Sequence, residues 1–423
     1  MAKNSIDDLI NDEFLGLEDL SKESDNIEYW CDSGNYALNY ICSKHFSGAF
    51  PQGKISVLAG KSGVGKSMIP CIVAKDPNID RVIILDSEGG GNGKSLLEFL
   101  GVPLEKVSYK LISTLDSYKI TFDDKGKQKI EEIKDGEIPQ KLKTDSYEVH
   151  IGLIAFLKKL LYALEYSQSK EKILIIVDSL SNLKSVRKLN GVEDMGKSQK
   201  LLNDLFALDN VIKKTNATLI CSAKVYTDLN NQYNTEGIIA GGESIIYNPS
   251  ILLSLSSLQD NPEMSDTDLR AEKERRKTSL GNSVKTIRAR VKKSRFGTEG
   301  RNAWVVLDAT YGLTRNSGLF QLLYDFGVCV KSGTRYTIPG VFINEKGEDI
   351  SFFKKDFLEI FGKNEKEYIA KFQEKMNEAE ERIKKERLSL NVNDISEVKE
   401  DDGDDEVSTF EIARAMEAEM EGE

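Results

Sequence analysis

Histidine is nearly absent from this 423-residue chain, which contains His45 and His150 and no others. That scarcity argues against a metal centre built on imidazoles and against a catalytic dyad that needs one. Cysteine is sparse too. Cys31, Cys42, Cys71, Cys221 and Cys329 are scattered with no C-x-x-C spacing, which disfavours a zinc site or a disulfide framework and points to reduced thiols. No stretch approaches the roughly 20 consecutive apolar residues of a membrane span. The opening residues, MAKNSIDDLINDEF, lack the basic-then-apolar layout of a signal peptide. The expectation is a soluble, cytoplasmic protein with no membrane partner.

What is present is enough apolar sequence for a core, 39% of residues, and an uneven distribution of charge. The net charge of −11 belongs to the last thirty residues: Asp394 to Glu423 carry 13 acidic and 2 basic side chains. The rest of the chain is neutral overall, yet within it Arg270 to Arg301 holds 12 basic and 3 acidic side chains. A basic segment of this kind suits a polyanion, and an acidic tail can compete with that polyanion. A solvated charged face with a solubilising tail is the plainer reading.

The most specific pattern is Gly60-Lys61-Ser62-Gly63-Val64-Gly65-Lys66-Ser67, a complete Walker A loop after the apolar run Lys54 to Ala59. Glycines let successive N–H groups turn inward and cradle phosphate oxygens. Lys66 can reach the β- and γ-phosphates, and the Ser67 hydroxyl can ligate Mg²⁺. Nucleoside triphosphate binding, with ATP and Mg²⁺ as ligands, is the expectation.

Further apolar runs at 81–86, 172–177, 217–222 and 251–256 read as buried strands, with two more at 284–291 and 304–307. Helical periodicity at 151–166 and 200–214 alternates with them. This predicts an α/β fold with a mostly parallel central sheet. Residues 1–50 read as a short, mostly helical lead-in, with Leu9, Ile10, Phe14 and Leu17 as anchors. The core spans 51–317, with a polar insert near 110–150 in which Tyr118 to Phe122 suggests a hairpin. A small α-rich domain over 318–390 closes with a charged helix (363–387), and an acidic, disordered tail fills 391–423.

Asp178 ends the third apolar run, the position of a carboxylate that holds Mg²⁺ through water beside Ser67. Glu88 lies just past the second strand, where a carboxylate can deprotonate an attacking water. Each residue, taken alone, also fits a helix-capping role. The order of parts narrows this. Walker A, Asp86-Ser87-Glu88-Gly89, Asp178-Ser179-Leu180, a Gly-Gly loop and Val291-Lys-Lys-Ser-Arg295 together resemble the RecA family, most closely the phage UvsX recombinases.

The resemblance covers roughly Leu38 to Val330. It implies a RecA-like P-loop ATPase core in a head-to-tail filament on DNA, with residues 1–50 as an oligomerisation segment. It supports Glu88 as the base and makes Lys293 and Arg295 a pair reaching the γ-phosphate of a neighbouring protomer. Two DNA-contact loops follow, one carrying Arg187, Lys188 and Met195, the other Gly241 and Gly242. The implied partners are single- and double-stranded DNA and further copies of the chain. A recombination mediator and a single-strand-binding protein are partners that such a function admits, and the host-cell cytoplasm is the compartment for a viral protein. The implied activity is a DNA-dependent ATPase that pairs and exchanges strands. The acidic tail is implied to restrain duplex binding.

Three departures stand out. Lys224 occupies the nucleotide-sensor position, where the family usually has Gln or His. Gly90 to Gly93 replace the usual adenine-stacking aromatic, and the 110–150 insert and the basic stretch near 270–300 lack an assigned counterpart. A RecA-like hexameric DNA helicase or motor and a nucleotide-gated DNA-binding scaffold are the alternatives.

Overall fold

Apolar runs bounded by turn residues form a ten-stranded sheet in a computed structural model, which describes residues 27–89, 94–122, 127–192, 202–226, 237–240, 243–258, 284–308 and 312–395. In chain order its strands are β1 (Ile55–Gly60), β2 (Arg81–Asp86), β3 (Val107–Leu111), β4 (Ile173–Asp178), β5 (Ala217–Tyr226), β6 (Ile238–Ile239), β7 (Ile251–Leu258), β8 (Val284–Ser294), β9 (Asn302–Asp308) and β10 (Gly312–Leu313). Across the sheet the order is β10-β9-β8-β7-β1-β5-β4-β2-β3, with β6 paired to β5. The stretch from β7 to β3 is parallel throughout. β8, β9 and β10 extend it antiparallel.

Burial explains the split. Every residue of β1 and β4 is buried, as a continuous apolar run must be when helices cover both faces of a parallel strand. β8 instead alternates: Ile287, Ala289 and Val291 are buried, while Arg288, Arg290 and Lys292 are half-buried, the period-2 pattern of a strand with one wet face. Helix Leu153–Ser167 supplies part of the cover. Leu153, Ile154, Leu157 and Leu161 recur at helical spacing and share one core with Ile83, Leu85, Ile175 and Val177. Each such side chain stabilises the fold by about 1.5–3 kcal/mol when buried.

The insert differs from a simple hairpin. Its first residues join the main sheet as β3, and three antiparallel strands follow in the order Gln128–Ile133, Ser117–Phe122, Tyr147–His150. Aromatic cross-strand contacts recruit the third strand. Tyr118 stacks on His150 at 4.7 Å between centroids, and the Lys119 ammonium lies 4.6 Å over the Tyr147 ring. The expected helix over 200–214 is two pieces, 202–206 and Asp209–Ile212, joined through a tight turn at Leu208.

Among the described residues, those through Gln373 form one compact unit and those from Glu374 a second. Within the first, Asn35 caps helix Tyr36–Ser43, and its amide also donates to the carbonyls of Thr314 (2.8 Å) and Ser317 (2.9 Å). An aromatic cluster that includes Phe320, Phe342, Phe357, Phe361 and Phe372 packs the segment that follows. The charged helix runs from Glu365 to Ile395 and so takes in the first five residues assigned to the tail. The remainder of that tail, and the anchors Leu9, Ile10, Phe14 and Leu17, lie outside the described residues. Among the described residues no helix is long and apolar enough to cross a membrane.

Candidate functional site

Parallel strands send their C-terminal ends to one edge, and the chemistry-bearing residues gather there. Gly60 at the end of β1 is flanked in register by Lys224 of β5 and Leu255 of β7. Asp86 and Asp178 stand opposite each other at the ends of β2 and β4. Between these ends opens a cavity of about 590 Å³, with Gly65, Lys66, Ser67, Glu88, Asp178 and Lys224 in its lining. That volume falls within the range of small-ligand pockets.

The glycine loop is shaped by close packing. A Cβ on Gly60 would come within 2.6 Å of the Leu255 carbonyl oxygen. Gly65 has φ +90°, and a Cβ there would lie 2.8 Å from Leu307 Cδ2. No other residue type fits either position without displacement. Val64 is buried and anchors the loop, whereas Lys61, Ser62 and Gly63 are exposed. Lys66 curls across the loop and donates to the Lys61 carbonyl at 2.6 Å. Burial lowers its ammonium pKa, and the negative charges of Asp178 and Glu88 act in the opposite direction. The helix that follows, Met68–Val73, is only six residues long and carries Pro70 in its first turn.

Two buried aspartates organise the carboxylate side. Asp178 is 3% exposed and accepts a hydrogen bond from Ser222 of β5; the Asp178–Ser179 peptide is cis. Asp86 turns the segment after β2: its Oδ1 accepts the N–H groups of Glu88 (2.7 Å) and Gly89 (3.0 Å), and its Oδ2 accepts from Tyr109 (2.8 Å). Burial, followed by the neighbouring Asp86, pushes the Tyr109 phenol up to about 12. Ser87 ties the two strand ends together. Its N–H donates to the Asp178 carbonyl at 2.8 Å, and its hydroxyl donates to the Ser179 carbonyl (2.7 Å) and accepts from the Ser179 N–H (2.8 Å).

Glu88 thereby meets Lys224. The Lys224 ammonium is 3.1 Å from Glu88 Oε1, which also accepts from the Ser179 hydroxyl at 3.2 Å. Lys224 donates in addition to Asn182 Oδ1 at 2.9 Å, and its carbonyl accepts the Ala240 N–H at 2.8 Å. Lys224 is thus an ion-pair partner of the candidate base. Its backbone is also tied to Ala240, directly after β6, which pairs antiparallel with the end of β5.

Lys285 and Leu307 also line the cavity, and no local motif marks them. Lys285 arrives because β8 runs antiparallel to β7, which brings its first residues to the edge where β1 ends, and Leu307 because β9 reverses again and ends beside Lys285. The Lys285 ammonium donates to the Gly63 carbonyl at 3.1 Å. Only the sheet order reveals this meeting.

Lys293 and Arg295 stand at the other end of the same strand. Lys293 pairs with Leu252, itself level with Val57. Arg295 contacts Asp209 at 3.5 Å and the Asn248 carbonyl at 3.1 Å. At about 3.3 Å per residue, Arg295 is roughly 15–20 Å along the sheet from the glycine loop of its own chain. Arg187 and Lys188 are exposed on the short helix Val186–Leu189. The insert fastens the root of that helix. Asp116 accepts the Val186 N–H at 3.1 Å, and Lys184 exchanges backbone hydrogen bonds with Ser113 (3.2 Å) and Leu115 (3.1 Å). Met195, Gly241, Gly242 and Gly90 to Gly93 lie outside the described residues.

No cluster of three or more His, Cys, Asp or Glu side chains able to hold a metal occurs among the described residues. Mg²⁺ does not need one, because it is usually bound by one or two protein oxygens together with substrate phosphates and water. The Ser67 hydroxyl and the Asp178 carboxylate, both lining the cavity beside Lys66, make a donor set that fits this pattern. Compared with protein-family models the chain matches none, and no curated protein matches it.

Proposed function

We propose that the protein is a RecA-like ATPase working as a homologous recombinase: a filament on single-stranded DNA that pairs and exchanges strands. The observation that carries this reading is the convergence, at one edge of a parallel sheet, of the Lys66 loop, the buried Asp178 and the Lys224-paired Glu88. The loop amides and Lys66 bind the phosphates. Ser67 and Asp178 would hold Mg²⁺, which neutralises phosphate charge when bound. Glu88 accepts the proton of the attacking water; Asp86 fixes its backbone and Ser179 holds its carboxylate.

In the geometry described, Lys224 occupies one Glu88 oxygen. A γ-phosphate offers that ammonium a more negative partner, so arrival of a triphosphate draws Lys224 from the base and pulls on β5 and β6. Lys293 and Arg295 are too far from their own cavity to serve it, which supports their action on a neighbouring protomer. DNA contact by Arg187, Lys188 and the residues on either side of β6 belongs to the same proposal.

The test is ATP hydrolysis with and without single-stranded DNA, together with strand exchange, for the wild type and Glu88→Gln. The wild type is expected to be strongly stimulated by DNA. The variant is expected to bind ATP and DNA but hydrolyse about 10²–10⁴-fold more slowly. Normal turnover in the variant would remove Glu88 from its role, and an unstimulated wild type that forms closed rings would favour a motor.

A further inference from the structure

The strand that holds the distant pair, β8, also reaches the cavity, and its cavity end is a lysine. Lys285 lies one residue into the strand, donates to the Gly63 carbonyl and lines the same cavity as Lys66 and Lys224. A Cβ on Gly63 would lie 3.3 Å from the Lys285 ammonium, so the side chain rests directly on the exposed turn of the glycine loop. The other two cavity lysines have carboxylates in their field: Lys224 pairs with Glu88, and Lys66 feels Asp178 and Glu88. The hydrogen bond of Lys285 goes to a neutral carbonyl instead. An ammonium on a neutral acceptor beside a phosphate-sized concavity gains most from an anion arriving there.

We propose that Lys285 binds the phosphates of the nucleotide held by its own chain, making β8 a strand with nucleotide-directed cations at both ends. The inference rests on the nucleotide reading above. Lys285 acts in cis, and Lys293 with Arg295, about 25–35 Å away at the other end of the strand, acts on the next protomer. A single rigid element then touches two successive nucleotides, with no loop between the contacts.

The test is equilibrium binding of ADP and ATP, without DNA, to wild type, Lys285→Ala, Lys285→Met and Lys285→Arg. The thermal midpoint of each nucleotide-free protein serves as the control for folding. Both affinities are expected to fall about tenfold in the Ala and Met variants and to be largely restored by Arg, with unchanged nucleotide-free midpoints. The Met variant keeps the aliphatic stem, so it separates lost charge from lost packing. Unaltered affinities in Met and Ala overturn the proposal, as does a loss that Arg fails to restore. Absence of nucleotide binding by the wild type overturns the nucleotide reading itself.

Discussion

The parallel half of the sheet and its antiparallel flank handle charge differently. In the parallel half every strand points the same way, so all the C-terminal ends collect at one edge, where the candidate carboxylates lie. There Asp86, Asp178 and Ser222 are buried at 1–3% exposure, each in a defined hydrogen bond. In the flank the strands reverse, so one strand delivers Lys285 to the cavity edge and Lys293 to the other end. Parallel pairing gathers candidate residues in a single pocket, and antiparallel pairing divides them between two ends of one strand.

The sharpest way to break this contrast is at the far end of the flank. Alanine at both Lys293 and Arg295 is expected to lower DNA-stimulated hydrolysis by about 10²–10³-fold, as loss of trans-acting cations does. Mixing the variant with Glu88→Gln tests the division directly, because each protein lacks what the other supplies across an interface. Recovery of hydrolysis in the mixture supports two surfaces, and no recovery places the pair elsewhere. Next in size is the stability of the parallel half. Ile175→Ala, at a fully buried position, is expected to cost about 2–5 kcal/mol in urea unfolding, and a loss below about 1 kcal/mol would mean that this half is loosely packed. The smallest effect is expected at the join between the pocket and the segment after β5. Lys224→Met should reduce the ratio of DNA-stimulated to basal hydrolysis by about tenfold, a typical coupling between sites. An undiminished ratio would take Lys224 out of the coupling.

The same contrast explains what the sequence reveals. The buried strands read at 81–86, 172–177 and 217–222 are legible because burial on both faces demands a mostly apolar run, whereas the extension of the last one through Lys224 to the exposed Tyr226 is not. The glycine loop is legible because its shape admits so few residue types. Asp178 and Glu88 can be placed once parallel order is inferred, since their strands end at one edge. The Glu88–Lys224 ion pair is not legible. It depends on the lateral order β5-β4-β2, which no local pattern encodes. Lys285 escapes notice for the same reason, one basic residue among twelve between Arg270 and Arg301. The third strand of the insert is hidden because Tyr147–His150 is only four residues long, and its stacking on Tyr118 leaves no local pattern.

Ser87 has a consequence for how this chain tolerates change. Its hydroxyl gives one hydrogen bond and takes another across the gap between two strands that are 92 residues apart in the chain. An alanine there forfeits both at once, while threonine can keep both, so the position filters substitutions by two-way capacity rather than by size or polarity. The clasp also brings together Glu88 and Ser179, whose side chains share a hydrogen bond of their own. A change that repositions one alters the surroundings of the other, although each would look independent in a linear comparison of sequences.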